Sequence, residues 1–449
     1  GLGGAGQADF VALTWSDGVY QTELGLEAGR LHRITETQRQ LSSCPVLFAW
    51  DGQRYVFVSD LLGVGGMGYF VEPGVYAPPR PWENYLLPDG LLQPREGRYR
   101  LKIGEPMEEA AYLDSMRLAA WDLPPGWSMV LDERMGILGP EPTGDAVFYR
   151  EQRLPGRATD TQGRDVTAAV TKADLHAPAV GELDRRFIGR LMEPQLLTLE
   201  FDAPLDRPGA SPVLVIDGWV EYPYSQTMFA AWQAAADYRA PTLQARDAAG
   251  RWHTLMEQFG YPAGMPRRMS VPLGKLPAGT DALRLSTNQE IYWDRVAVVY
   301  SEPLPAAVRH ELPLSDAEVG FSGFALRTTG SQRQPHYDYD RRSPLLDTRH
   351  IRGHYTDFGR ATELLAEADD ALAIIGPGEE VHLEFEDDLP QLQSGWQRHF
   401  VLESRGWAKD MDLYTEHGNT LEPLPDSGRP TARRDELHER YNRRYRSGI

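Results

Sequence analysis

The sequence predicts an all-β protein, built as tandem β-sandwich modules of jelly-roll type with short helices and an Arg-rich C-terminal tail. Three observations carry this expectation. Short apolar runs recur along the chain between turn residues, as strands of sandwiches do. The 43 Gly and 34 Pro are spread rather than clustered, which suits many turns between short strands. Some of the runs face each other across Asp-Gly or Gly-containing turns, the pattern of β-hairpins. With 449 residues the chain exceeds one core and fits about two to four domains.

Residues 1–42 are read as the end of a module. Phe10-Val11-Ala12-Leu13-Thr14-Trp15 is a strand that returns, after Ser16-Asp17-Gly18, through Val19, Gln21 and Glu23; a short helix is expected from Thr35 to Leu41. A β-rich domain is expected over 43–144. It opens on a hairpin, Val46 to Trp50 against Tyr55 to Val58, across Asp51-Gly52-Gln53-Arg54. The glycines of Leu62-Gly63-Val64-Gly65-Gly66-Met67-Gly68 resemble a dinucleotide loop, but Pro73, Pro78, Pro79 and Pro81 follow where that loop needs a helix, so a surface loop is expected. Tyr99 to Ile103 and parts of Met107 to Trp121 read as further strands.

Residues 145–305 are expected to form the jelly-roll-like sandwich. Its strands are Leu197 to Phe201, Val213 to Ile216, a hairpin from Thr242 to Leu255, and a closing antiparallel pair, Leu283 to Thr287 with Ile291 to Val299. A β-rich C-terminal region is expected over 306–430, with a short helix from Thr362 to Asp369 and strands Leu372 to Ile375 and Glu380 to Phe385. In 431–449, Leu437, Tyr441 and Tyr445 fall on one helical face among Arg433, Arg434, Arg440, Arg443, Arg444 and Arg446, which predicts a basic amphipathic tail that docks on a partner.

The net charge of −19 repels a phosphate backbone, so nucleic acid is not expected as a partner. No run of about eighteen apolar residues is present, so no membrane-spanning helix is expected. Cys44 is the one cysteine, which excludes an intrachain disulfide and any thiolate-rich metal site. The opening Gly1-Leu2-Gly3-Gly4-Ala5-Gly6 has no basic or long apolar segment and no Met, so the chain is expected to start inside a domain, with any export signal upstream.

The residues that chemistry would need are scattered. His350 and His354, with His336, Asp338 and Asp340 nearby, stand on loop or strand, where a four-residue spacing spans about 13 Å and cannot close on one ion. Asp338, Asp340, Asp387 and Asp388 lack the alternating acidic loop of a calcium site. Gly320-Phe321-Ser322-Gly323 is not a nucleophile elbow, and Cys44, before a proline and an apolar strand, reads as a buried inert thiol. No catalytic residue, metal or cofactor is therefore expected. Aromatic side chains are the better lead: Tyr222, Tyr224, Gln226, Trp232 and Trp252 are the candidate contacts for a ligand or partner, while Trp219 and Trp293 sit in apolar runs and are expected in the core.

Several segments carry a family resemblance. Gly1-Leu2-Gly3 followed by Ala8-Asp9-Phe10-Val11-Ala12-Leu13-Thr14-Trp15-Ser16-Asp17-Gly18 resembles the end of an ASPIC/UnbV module. Ser43-Cys44-Pro45-Val46-Leu47-Phe48-Ala49-Trp50-Asp51-Gly52, Tyr292-Trp293-Asp294 and Gly406-Trp407-Ala408-Lys409-Asp410 resemble the C-terminal extension of bacterial members of the same group. These are exported, cartilage acidic protein-like proteins that join FG-GAP propeller repeats to an ASPIC/UnbV module. The resemblance implies extracellular adhesion or assembly and no catalytic residue set. It transfers no calcium site, because the propeller that binds calcium would lie upstream. The expectation is thus a secreted, extracellular or cell-surface binding and assembly protein, with the periplasm as the alternative location and a protein partner, self-assembly or a glycan as its target. A carbohydrate-active or lactone-cleaving hydrolase with dispersed catalytic groups is the alternative.

Overall fold

The computed structural model describes residues 3–15, 20–35, 44–136, 139–343, 349–427 and 432–448. Strands take 47% of the chain and helix 7%, so the protein is all-β, built from antiparallel sheets. The N-terminal hairpin pairs Gln7–Thr14 with Tyr20–Glu27; the helix expected at Thr35 to Leu41 lies outside the described residues.

The hairpin at Asp51 shows how local chemistry sets register. The Asp51 carboxylate accepts the Gln53 and Arg54 amides at 2.8 and 2.9 Å, and those bonds hold its carboxyl below the usual range. Val46–Trp50 and Tyr55–Asp60 then run antiparallel from the turn. Around this hairpin a six-stranded sheet forms, in which Val46–Trp50 lies beside Arg98–Gly104, then Glu379–Glu386, then Leu314–Phe321. A second sheet centres on the long strands Glu109–Leu123 and Gln397–Asp410, flanked by Trp82–Leu86 and Val308–Leu312. Alternate residues of both sheets, among them Leu47, Leu101, Leu113, Leu118, Leu383 and Leu402, meet in one core.

This first body corrects the expected division of the chain. The stretches read as separate units, 43–144 and 306–430, contribute neighbouring strands to the same two sheets. Strand alternation is local and reports which face is apolar, but it carries no address for the partner strand. The intervening segment forms a second body. Its spine is a single 20-residue strand, Ala282–Ser301. The first half pairs with Arg190–Glu200 and Thr242–Arg246, the second with Ser211–Glu221, so one strand serves both walls of the core around Leu214, Ile216, Leu243, Leu285 and Val298. The expected closing pair, Leu283 to Thr287 with Ile291 to Val299, is therefore one continuous strand. Its apparent turn, Asn288-Gln289-Glu290, is polar yet buried, because neighbouring strands pair with it on either side. Trp219 and Trp293 are core residues as expected.

The described helices are short: α1 (Ser225–Gln233) in the second body, and α2 (Thr362–Leu365) and α3 (Ala432–Tyr441) in the first. No described helix is long and apolar enough to cross a membrane.

The glycine-rich segment is packed rather than exposed. A Cβ at Gly65 would stand 2.8 Å from the Gly406 carbonyl oxygen, and one at Gly68, where φ is +69°, would stand 2.7 Å from that of Glu416. The glycines let this loop lie against the strand Gln397–Asp410, where the Met67 amide donates to Ala408 at 2.8 Å. The surface-loop expectation failed because the alternative to phosphate contact, close approach of protein backbone, leaves the same glycine pattern in sequence.

Candidate binding site at the seam of the two bodies

The seam is locked by charge taken out of water. Asp60 and Glu83 of the first body have 0% exposed side chains, and both bind the Arg267 guanidinium of the second. Arg267 also donates to the Asp60 carbonyl at 2.5 Å, and its guanidinium lies 5.6 Å from the Tyr85 ring. Burial pushes the Asp60 carboxyl up and the neighbouring guanidinium pulls it back down. Beside this triad Glu133 pairs with Arg80, and Arg134 reaches across to the Phe259 and Ser270 carbonyls at 3.0 Å. The cleft between these groups, lined by Tyr85, Leu131, Glu133, Arg267 and Arg268 among others, has about 20 Å³ of space, roughly one water's worth.

Of the aromatic candidates, Tyr222, Tyr224 and Gln226 also belong to this seam. The Tyr222 hydroxyl lies 3.5 Å from Cys44 Sγ, the Tyr69 hydroxyl donates to the Pro223 carbonyl at 2.8 Å, and the Gln226 backbone N–H donates to the Asp412 carboxylate at 2.9 Å. Tyr224 is the N-cap residue of α1 and is buried. This segment is part of the joint, not an exposed contact loop: Pro223 fixes the entry into α1, and the two rings turn inward to fill the joint. Cys44 is buried, and desolvation raises its thiol well above the usual value, which suits an inert side chain. Trp252 is elsewhere, on the outer hairpin of the second body, with the Arg284 guanidinium 3.8 Å from its ring.

Trp232 is the exposed member. It lies in the last turn of α1 with 48% of its surface open, and beside it three segments converge. The Phe229 ring is stacked on Tyr414 at 4.0 Å and 12°, 5.8 Å from Trp232 and 5.6 Å edge-on to the buried Phe70. Leu413 and Tyr414 are 60% and 36% exposed. Together Phe229, Trp232 and Tyr414 form an aromatic ledge on the seam, with α1 from the second body and the 411–416 loop, which also exposes Leu413, from the first. The loop is pinned below: Thr415 Oγ1 donates to Ser225 Oγ at 3.0 Å, and Lys409 Nζ to the Thr420 and Leu421 carbonyls at 3.0 and 3.1 Å. Sequence reasoning missed Phe229, Leu413 and Tyr414. The helical spacing of Met228, Ala231 and Trp232 after Pro223 is the signal that would have found α1; nothing local links residue 414 to it.

On the strand that leads into α1 and on its neighbour, Glu221 and Glu290 face each other in register. Glu290 accepts from Tyr292 and Arg333 at 2.7 Å each. Glu221 is 7% exposed, and burial pushes its carboxyl up to about 7, opposed by Arg333 and reinforced by Glu290. The hairpin Ala325–Thr329/Pro335–Arg342 covers the pair with its turn, where Gln332 exchanges bonds of 3.0 and 2.7 Å with the Ala177 amide and carbonyl.

The Arg-rich tail finds its acidic surface within the chain. Arg433 pairs with Asp369, Arg440 with Glu363, and Arg443 with Asp357; Arg444 and Arg446 share the fully buried Glu379. Arg434 lies 2.9 Å from Asp435. Leu437 enters the core and Tyr441 packs against it, but α3 stops at Tyr441, where the Asn442 side chain bonds Thr356 and Leu372. Arg444–Arg446 then continues as a strand on Gly353–Tyr355, which leaves Tyr445 exposed instead of on the expected helical face. His350 Nε2 accepts from the Arg446 guanidinium at 2.6 Å, and the His354 ring lies 5.1 Å from Tyr445. Among the described residues no group of three or more His, Cys, Asp or Glu side chains is placed to hold a metal ion.

Neither protein-family models nor curated protein sequences give a match to this chain.

Proposed function

We propose that this chain is a non-catalytic binding and assembly module of an exported, FG-GAP/ASPIC-UnbV-type protein, with jelly-roll-like bodies as its frame and the aromatic ledge as its contact surface. The observation that carries the reading is the ledge itself. Three aromatic side chains stand together at a joint that buried ion pairs cross, so they meet a partner with little ordering cost. The carboxylate pair that a hydrolase would use, Glu221 and Glu290, is 7% and 1% exposed and lies under the Gln332 turn, which favours binding over turnover.

The test is a screen of glycan and peptide arrays with the intact chain and with the Trp232→Ala/Tyr414→Ala variant. A ligand held by the first and lost by the second supports the reading. Ligands held equally by both would place binding elsewhere. Hydrolysis of a glycoside or lactone panel that disappears in Glu221→Gln would overturn the non-catalytic assignment.

A further inference from the structure

The ledge's electrostatics say what it binds. Its three supporting segments, residues 70–76, 225–233 and 411–417, carry Glu72, Asp412 and Glu416 and not one Lys or Arg. Helix α1 ends at the ledge without a basic residue in its last turn, so the negative end of its dipole is uncompensated by side-chain charge there. The chain's own arginines cover other rings: Arg284 lies 3.8 Å from the Trp252 centroid, Arg80 4.2 Å from Trp82, and Arg444 3.9 Å from Phe358, a ring that is itself 49% exposed. Among the described residues no cation lies over Trp232, Phe229 or Tyr414. Aromatic faces at a helix C-terminus, on segments whose exposed charges are the carboxylates of Glu72 and Glu416, attract guanidinium and ammonium groups, and the net charge of −19 steers cationic surfaces toward the molecule.

We infer that the ledge is a docking surface for a basic protein segment, whose Arg or Lys side chains lie on Trp232 and the Phe229–Tyr414 stack and pair with Glu72 and Glu416. The inference rests on the reading of the ledge as a contact surface and adds the chemistry of the partner. Leu413 supplies the apolar contact for the stems of those side chains.

Three probes separate the outcomes: a fluorescent alternating Arg-Gly octapeptide, its Glu-Gly counterpart, and cellohexaose, each titrated against the intact chain at low and high salt. The Arg peptide is expected to bind and to weaken as salt rises. Trp232→Ala, which leaves the net charge unchanged, should weaken it about tenfold, the loss expected of a desolvated cation–π contact. Glu72→Lys/Glu416→Lys should weaken it at least as much, while Trp252→Ala leaves it unaltered. Circular dichroism checks that each variant is folded. Arg-peptide binding that ignores Trp232 would be diffuse charge attraction and would overturn the inference. If the Glu peptide or cellohexaose is instead the Trp232-dependent ligand, the cationic partner is wrong and the ledge stands. If no probe depends on Trp232, the cationic partner is wrong, and the array screen decides the ledge.

Discussion

Removing Arg267 should unlock the two bodies. Replacing it with Met keeps the stem and deletes the charge, leaving Asp60 and Glu83, both 0% exposed, to face each other without a counter-ion. Breaking a buried pair costs about 3–5 kcal/mol. One guanidinium here serves two carboxylates and a carbonyl, so the expected cost is at the upper end, about 5 kcal/mol. Urea unfolding of wild type and variant gives the total. Hydrogen exchange gives the location, since the Leu62 and Met265 amides donate to Glu83 and Asp60 and should lose protection first. Because the penalty is buried negative charge, it should narrow as pH falls and the Asp60 carboxyl, which burial already pushes up, takes up its proton. Asp60→Asn/Glu83→Gln/Arg267→Met removes all three charges, keeps acceptors for both amides, and should recover most of the loss. A deficit under about 1 kcal/mol in Arg267→Met, or a triple variant as unstable as the single one, would refute the view that charge compensation holds the seam.

Four other outcomes are expected. Glu221 has a raised folded-state carboxyl, so its contribution is fully present below about pH 4.5 and is lost as pH rises through about 7; Glu221→Gln should abolish this slope and gain up to about 3 kcal/mol relative to wild type at pH 8, read from urea midpoints at each pH. Burial lowers Lys409 to about 8, so the folded state disfavours its proton; wild-type stability should rise relative to Lys409→Met between about pH 8 and 10, by up to about 3 kcal/mol. Gly65→Ala forces a methyl against the Gly406 carbonyl and should cost about 1–3 kcal/mol, whereas Gly181→Ala, with open space around it, should be nearly silent in the same thermal melt. Glu379→Gln weakens the shared anchor of Arg444 and Arg446 and should expose the C-terminal strand to limited proteolysis while α3, held by Leu437, persists.

Much of the local structure was legible. The Asp51 turn and the hairpin from Thr242 to Leu255 could be read because side chain–backbone bonds and strand alternation are short-range. So could the core positions of Trp219 and Trp293, which lie in apolar runs. Trp232 was recognised as a candidate and is the exposed ring of the ledge, but Tyr224 and Gln226, only a few residues away, are buried and Tyr222 is half-buried in the joint. Sequence could not separate them, because aromatic residues are equally suited to filling a joint and to covering a ledge. The tail misled in a similar way. Its arginines need acidic partners, and the sequence could not show that Glu363, Asp369 and Glu379 supply them from the same chain.

By itself the sequence determined the strand content, the hairpin turns at Asp51 and between Thr242 and Leu255, and the core positions of Trp219 and Trp293, since each depends on neighbours within a few positions. Only the tertiary structure decided that strands from 46–123 and 308–410 share sheets, that Ala282–Ser301 is one strand, and that Tyr414 stacks on Phe229. The reason is that strand pairing, charge burial and ring stacking are contacts between residues far apart along the chain. Their free energy depends on which surfaces fold together, and no local periodicity encodes that choice.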